Sequence, residues 1–565
     1  VIKDAYPLKA QYRSGEPVSI ALELANAGNA EERWRIEMRV MRLDREVERV
    51  AREVRLAAGE SRTLTVTLPA FRAAFDGFGV DIDLADSGGI VRQTVSTAFD
   101  VVSDWRKSIR YGFLSDFGAG DRGDEEDVKW LCKLHLNLVQ FYDWMYRHED
   151  LVSEKSEYTD LMGRRLSLET VKEKIALCRR HGMKAVAYGA VYAASKPFAE
   201  LHPDWVLYQS DGKPYDFIGR LTIMNIAADC PWHRHIVGEY KRAVELADFD
   251  GIHLDTYGFP KTAVSMWGGE AKAIRLEEHF PQLIASVREE LSGCKPEIAL
   301  IFNNVGNWPV DGAAQAPQDA VYVEVWKPYE RYHHIRQIIQ QAQRAGEGKP
   351  VILAAYLKPF RTEADPDRAR YAGLLLTAVI AAHGGSHLLA GEQSAVLTQA
   401  YYPDYAKIGD PFARELRQYC DFLVRYANLL HDGRLQDVSM THADGDNREY
   451  VFDGLDFSTY GEAGKVWTVI RESGKRKTIS FINLTGNEED YWNEGKNRPM
   501  RLTDIPVRIL LEKEVLGVYA ASPDADCGRP RALPFRVTDS LRGMTLETAV
   551  PSLDVWTVLW VDLAD

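Results

Sequence analysis

The chain has 565 residues, 45% hydrophobic and 27% charged, with a formal net charge of −14 at pH 7. That length exceeds one compact core and calls for two to four domains. The acidic balance, with no basic stripe, argues against nucleic acid or another polyanion, and no run of about 18 apolar residues marks a membrane span.

Residues 1–103 read as all-β. Val18, Ile20, Leu22 and Leu24 alternate with small or polar residues, as do Leu64, Val66 and Leu68. Gly15, Asn26-Ala27-Gly28-Asn29 and Ala58-Gly59-Glu60 punctuate such runs as turns. Short strands over about a hundred residues fit an immunoglobulin-like β-sandwich.

Residues 104–432 carry a βα alternation. Strands are expected at Ile109–Phe117, Leu136–Trp144, Lys184–Tyr192, Gly251–Tyr257, Glu297–Asn304, Ala320–Trp326, Pro350–Lys358 and Ser386–Glu392. Helical periodicity runs through Leu168–His181, Trp232–Ala247, Ala271–Leu291, Tyr332–Ala345, Arg368–Ala382 and Pro411–Leu430. The fifth connection, Gly306–Asp319, reads as a loop. Eight strands separated by helices favour a closed (β/α)8 TIM barrel over a doubly wound sheet. Residues 433–565 return to strands, at Tyr450–Phe452, Val466–Ile470, Lys477–Asn483, Val507–Leu511, Val515–Ala520 and Trp556–Val561. They predict a C-terminal antiparallel β domain of Greek-key type.

In a barrel the strand C-termini share one face, and that face carries the chemistry. Asp255 closes the fourth strand (GIHLDTYG) and Glu324 the sixth (AVYVEVW). Two carboxylates at one mouth are what cleavage of a glycosidic bond requires. A helix N-cap or a structural ion pair is the alternative for Asp255. Apolar neighbours Tyr322, Val323, Val325 and Trp326 disfavour ionisation of Glu324 and suit it to general acid; Asp255, in more polar company, suits a nucleophile.

The other strand ends supply candidates for substrate binding. These are Asp116, Asp143 and Trp144, Tyr188 and Tyr192, Tyr257, Asn303 and Asn304, Trp326, Lys358 and Glu392. Carboxylates and amides hold sugar hydroxyls, and aromatic faces stack on sugar rings. The long third connection, Ala193–Asp229, is expected to shape a cleft. Thr441–Asn447 has the look of a calcium loop but lacks the later ligands, so a hairpin turn is expected there. The six cysteines are scattered and read as buried free thiols; no metal-ligand spacing, P-loop or dinucleotide fingerprint is present, so neither metal nor cofactor is expected.

YGFLSDF (111–117), LNLVQFYDWMYRHE (136–149), GIHLDTYG (251–258), FNNVG (302–306) and YVEVWKPY (322–329) together resemble glycoside hydrolase family 66. The resemblance spans the whole chain. It implies an immunoglobulin-like domain, a catalytic barrel and a β domain, acting on α-1,6-linked glucan as a dextranase or a cycloisomaltooligosaccharide glucanotransferase. By position it makes Asp255 the nucleophile of a retaining mechanism, Glu324 the acid/base and Asp143 a further acidic residue needed for activity. Cyclising members carry a carbohydrate-binding module near the seventh connection. Here only about ten residues separate Lys358 from the helix near Arg368, which favours endo-hydrolysis of dextran to isomaltooligosaccharides. Cyclisation, and glucan binding without catalysis, stay open. Dextran and isomaltooligosaccharides are the expected partners of a monomeric protein, and the substrate's size implies secretion.

Overall fold

A computed structural model describes residues 1–564. Its centre is a curled parallel sheet of eight strands: β1 (Tyr111–Leu114), β2 (Leu138–Phe141), β3 (Lys184–Ala190), β4 (Gly251–Asp255), β5 (Ala299–Val305), β6 (Ala320–Glu324), β7 (Val351–Ala354) and β8 (Gly385–His387). Successive strands are neighbours, and the ring closes where Gly391, in a short extension beyond β8, pairs with Phe113 of β1. A Cβ at Gly391 would lie 2.3 Å from the Phe113 ring, so closure requires a residue without one.

Strand pleating decides what faces the barrel interior. Tyr111, Phe113, Leu138, Val186, Ile301, Tyr322 and Ile352 form an inner cluster. Their neighbours Leu114, Val139, Ala187, Leu254, Phe302, Val323 and Leu353 belong to the larger core shared with the helices. Those helices are α1 (Glu126–Lys133), α2 (Leu168–Arg180), α3 (Pro231–Leu246), α4 (Phe280–Ser292), α5 (Val310–Ala313), α6 (Tyr332–Ala345), α7 (Pro366–Ala382) and α8 (Asp410–Arg425). Ser167 caps α2 by accepting from the Thr170 N–H, and Gly182 follows at φ +69°.

Three expectations need correction, and one helix comes in addition. The fourth helix begins at Phe280, with Pro281 in its first turn, because Lys272–Arg275 instead pairs with Thr262–Ser265 as a hairpin. The long C-terminal helix breaks at Tyr426, whose φ/ψ leave the helical region, so Asp410–Arg425 and Ala427–Leu430 are separate. Helix α1 was not anticipated; its apolar face is only Val128, Leu131 and Cys132. Thr441–Ala443 lies in a helical turn (Ser439–Ala443) rather than a hairpin. The loop-like fifth connection holds only the single turn α5.

Smaller β-sheet domains flank the barrel. On the N-terminal side, a three-stranded sheet (Ile2–Pro7, Pro17–Ala25, Ser61–Ala70) faces a five-stranded one, and Val18, Ile20, Leu22 and Leu24 pack on Ile36, Met38, Val80 and Ile82. Arg425 of α8 reaches into this domain and ion-pairs with buried Asp81, passing over Gly79, where any side chain would collide with the guanidinium. On the C-terminal side, a seven-stranded sheet, antiparallel except where Phe457–Ser458 pairs with Val466–Trp467, and a four-stranded antiparallel sheet enclose Ile470, Ile479, Phe481, Val507, Ile509 and Leu546. Strands Arg536–Ser540 and Gly543–Leu553 were missed because their exposed, polar-rich faces lack a clear apolar alternation. All six cysteines are unpaired; Cys132, Cys178 and Cys230 are buried, while Cys527 is exposed.

Candidate active site

The inward parity of the barrel strands continues to their C-terminal ends. Gln140 follows Leu138, Tyr188 follows Val186, Asp255 follows His253, Asn303 follows Ile301 and Glu324 follows Tyr322, each two residues further along its strand. All five end residues line one cavity of about 560 Å³ at the barrel mouth. That volume lies in the usual range for small-molecule sites, about 300–1,000 Å³.

One side chain organises its floor. Asn303 Nδ2 donates to Asp255 Oδ1 at 2.8 Å and to Glu324 Oε2 at 3.0 Å. The two N–H bonds of a planar amide diverge by about 120°, which sets the accepting oxygens about 5 Å apart. At about 5–5.5 Å one carboxyl can attack a sugar carbon while the other protonates the leaving oxygen; about 6.5–9.5 Å would leave room for a water between them. Asp255 Oδ2 also accepts from the Tyr188 hydroxyl at 2.8 Å. Asp255 stands partly open to the cavity, whereas Glu324 is 6% exposed.

Burial raises both carboxyls above the ordinary range. Glu324 is raised further by the negative charge of Asp255, and Asp255 is held down by its hydrogen bonds from Asn303 and Tyr188. The pair is therefore biased toward an ionised Asp255 beside a protonated Glu324. Asp143, also on the cavity wall, is pushed up to about 7 by burial despite the pull of Arg164. Arg164 is itself committed to Asp160 and to the carbonyls of Ser115 and Asp143. His148 and His253 are buried and pushed down to about 4 and about 3, so both imidazoles are neutral near pH 7.

The Asn303 amide yields a prediction. Asn303→Ala removes the bond that lowers the Asp255 pKa, so the acid limb of the pH–rate profile moves to higher pH. Turnover falls by about 10–100-fold, since one charge-assisted bond of about 1.5–3 kcal/mol is lost. An unmoved acid limb in steady-state kinetics would show that the amide does not tune the pair.

Of the residues expected from sequence, Asp143, Tyr188, Asp255, Tyr257, Asn303, Glu324 and Trp326 line the cavity. The others do not, and each has a physical reason. Trp144 follows the left-handed residue Asp143 (φ +48°) beyond the end of β2, which turns it away from the cavity, and it is buried against Phe249, its indole N–H donating to the Tyr188 carbonyl. Asn304 likewise points out of the barrel and donates to the Tyr322 carbonyl. Tyr192 lies beyond the end of β3, with its hydroxyl accepting from the Tyr257 N–H. Glu392 is buried at the β1–β8 seam, where it accepts from the Ser115 N–H and hydroxyl. Asp116 accepts from the Tyr405 hydroxyl there. Lys358 sits on the outer rim and ion-pairs with Glu494 of the C-terminal domain.

Several lining residues were not anticipated. Tyr142 and Tyr402 stack at 4.2 Å and 18°, and Phe217, from the long third connection, stacks on Tyr257 at 3.9 Å and 13°. Tyr356 lies edge-on to Trp326. The inward parity of Gln140, Tyr142, His253 and Tyr322 was legible along their strands. Nothing local marked Phe217, His148 or Tyr402, which come in from loops.

A TIM barrel whose mouth holds a hydrogen-bonded carboxylate pair among aromatic walls is the arrangement of a carbohydrate-cleaving enzyme. The family model for glycosyl hydrolase family 66 matches residues 7–560. The chain belongs to that family. A cycloisomaltooligosaccharide glucanotransferase of Niallia circulans is 23% identical over 709 aligned positions, covering 99% of this chain and 72% of that protein. The crystal structure of a cycloisomaltooligosaccharide glucanotransferase of Paenibacillus sp. with cycloisomaltoheptaose superposes with a TM-score of 0.90 at 21% identity, covering 99% of both chains. A maltogenic α-amylase of Thermotoga neapolitana shares the fold more distantly, with a TM-score of 0.51, 11% identity, and 81% of this chain and 99% of that chain covered.

Proposed function

We propose that this enzyme cleaves α-1,6-linked glucan by double displacement and passes the bound glucosyl group to a sugar hydroxyl, closing a cyclic isomaltooligosaccharide. The observation that carries the cleavage step is the single amide proton donor shared by Asp255 and Glu324. Asp255 attacks the anomeric carbon while Glu324 gives its proton to the departing glycosidic oxygen. Forming the glucosyl ester neutralises Asp255, and the charge that raised the Glu324 pKa disappears. Glu324, now ionised, takes the proton of the incoming hydroxyl as that oxygen displaces Asp255. Asp143, raised to about 7 by burial, is part-protonated near neutrality and in that form can donate to a sugar hydroxyl from the cavity wall.

The choice of acceptor rests on the relatives, which are glucanotransferases by name. It replaces the hydrolytic preference drawn from sequence. One observation still favours hydrolysis: the seventh connection runs directly from the single turn Pro359–Thr362 into α7 at Pro366, with no inserted domain. The relative's alignment, 709 positions against a chain of 565 residues, supports insertions that this chain lacks. Incubation with dextran and separation of products decides between the two. Cyclic oligosaccharides should dominate; a purely linear isomaltooligosaccharide series would assign a dextranase, and no turnover would remove the proposal.

A further inference from the structure

Among the described residues, three Trp or Tyr side chains are exposed, and all three lie on or against the segment that runs from Trp326 to His333 at the start of α6. Trp326, 42% exposed, lines the catalytic cavity just beyond β6. Tyr491 and Tyr460, each 37% exposed, belong to the C-terminal domain but rest on the residues that open α6. The Arg331 guanidinium lies over one face of Tyr491 at 4.5 Å, and Arg331 pairs with Tyr491 through the backbone as well. Further along, His333 stacks on Tyr460 at 4.7 Å and 20°, and Gln337 donates to the Tyr460 hydroxyl at 3.2 Å.

Each ring is thus fixed in orientation by a polar neighbour. Holding aromatic rings rigid and wet gains little for folding, because neither ring joins a hydrophobic cluster. The loop that carries Tyr491 is itself anchored. Lys496 is fully buried beneath it and donates to Glu489 and to the carbonyls of Tyr491 and Glu494. The loop also docks on the barrel through Trp492, which donates to the Tyr329 carbonyl, and Asn493, which accepts from the Lys358 N–H.

We infer that Tyr491 and Tyr460 form a remote glucan-binding path, continuous with the catalytic cavity through Trp326, that holds a polysaccharide chain several sugars from the point of cleavage. Aromatic planes take the apolar faces of pyranose rings, and Arg331, His333 and Gln337 offer donors to the hydroxyls. The occupant is a long neutral α-glucan, because the path starts at the cavity and its exposed rings carry no charge themselves. This assignment rests on the α-1,6-glucan reading above.

The test uses the full-length protein and the variants Tyr491→Ala, Tyr460→Ala, their double and Tyr491→Phe. Retardation in dextran-containing native gels and KM for dextran and for isomaltotetraose are measured. Each Ala variant should raise the dextran KM and weaken retardation by about three- to tenfold, and the double variant more, as loss of a stacking contact predicts. Isomaltotetraose kinetics should stay unchanged, since so short a chain, held in the cavity, ends before the two tyrosines. Tyr491→Phe keeps the ring and should retain wild-type retardation. Dextran affinity unchanged in the double variant would overturn the inference, as would equal losses on both substrates. Wild-type protein that is retarded through these tyrosines but cleaves nothing would remove the functional reading and leave the path standing; protein that neither binds nor cleaves dextran would remove both.

Discussion

Replacing Asp255 by Asn is expected to lower dextran turnover by about 10⁴-fold or more while leaving the fold intact, because the attacking atom itself is lost. The structural cost should be small. Asn keeps the volume, and its carbonyl oxygen can still accept from Asn303 or from the Tyr188 hydroxyl, the two groups that hold Asp255 in place. Far-ultraviolet circular dichroism and a melting curve close to wild type accompany the loss. The smaller Asp255→Ala variant opens space beside the anomeric carbon, so azide added to an activated isomaltosyl substrate should restore turnover and give a product of inverted configuration. Substantial activity in the Asn variant would remove Asp255 from the attacking role.

Glu324→Gln carries the second large effect. General acid–base assistance contributes about 10²–10⁴-fold, so dextran turnover falls by that factor. The loss depends on the leaving group. A nitrophenyl isomaltoside needs no proton to depart and should still form the glucosyl–enzyme rapidly, giving a burst followed by slow release. The pH profile changes as well. In the wild type the acid limb follows protonation of Asp255 and the alkaline limb follows loss of the Glu324 proton. Burial raises both groups, and the Asp255 charge raises Glu324 further, so the whole profile sits at higher pH than two ordinary carboxylates would give. Glu324→Gln should abolish the alkaline limb and keep the acid one. Retention of both limbs would assign the proton donor elsewhere.

The barrel and its two carboxylates were legible because strand ends converge by topology alone. Knowing that strands four and six end on Asp255 and Glu324 places both at one mouth before any coordinate is known. The errors came from treating adjacent residues as equivalent. Asn303 and Asn304 cannot both face the cavity on a pleated strand, and inward Ile301 would have settled which of them does. Asp143 and Trp144 lie beyond the end of β2 at Phe141, where a left-handed backbone at Asp143 (φ +48°) breaks the alternation and brings Asp143 to the cavity beside Tyr142. Glu392 and Asp116 misled for another reason. Their strand ends close the ring, and the β1–β8 seam is sealed there by Ser115 and Tyr405 rather than open to the cavity. The aromatic wall was out of reach: Phe217 meets Tyr257, and Tyr402 meets Tyr142, only because two long loops fold back over the mouth. The link between Lys358 and Glu494, 136 residues apart, was equally invisible.

The central claim is that Asp255 becomes bonded to a glucosyl group while Glu324 stands across from it within the reach of one amide. Trapping that species tests it most directly. The enzyme is treated with a 5-fluoro-α-isomaltosyl fluoride, digested and mapped by tandem mass spectrometry. The account predicts a single glycosyl adduct on the peptide containing Asp255, absent from Asp255→Asn. An adduct on another carboxylate, or turnover of dextran with inversion at the anomeric carbon and no adduct at all, would contradict it.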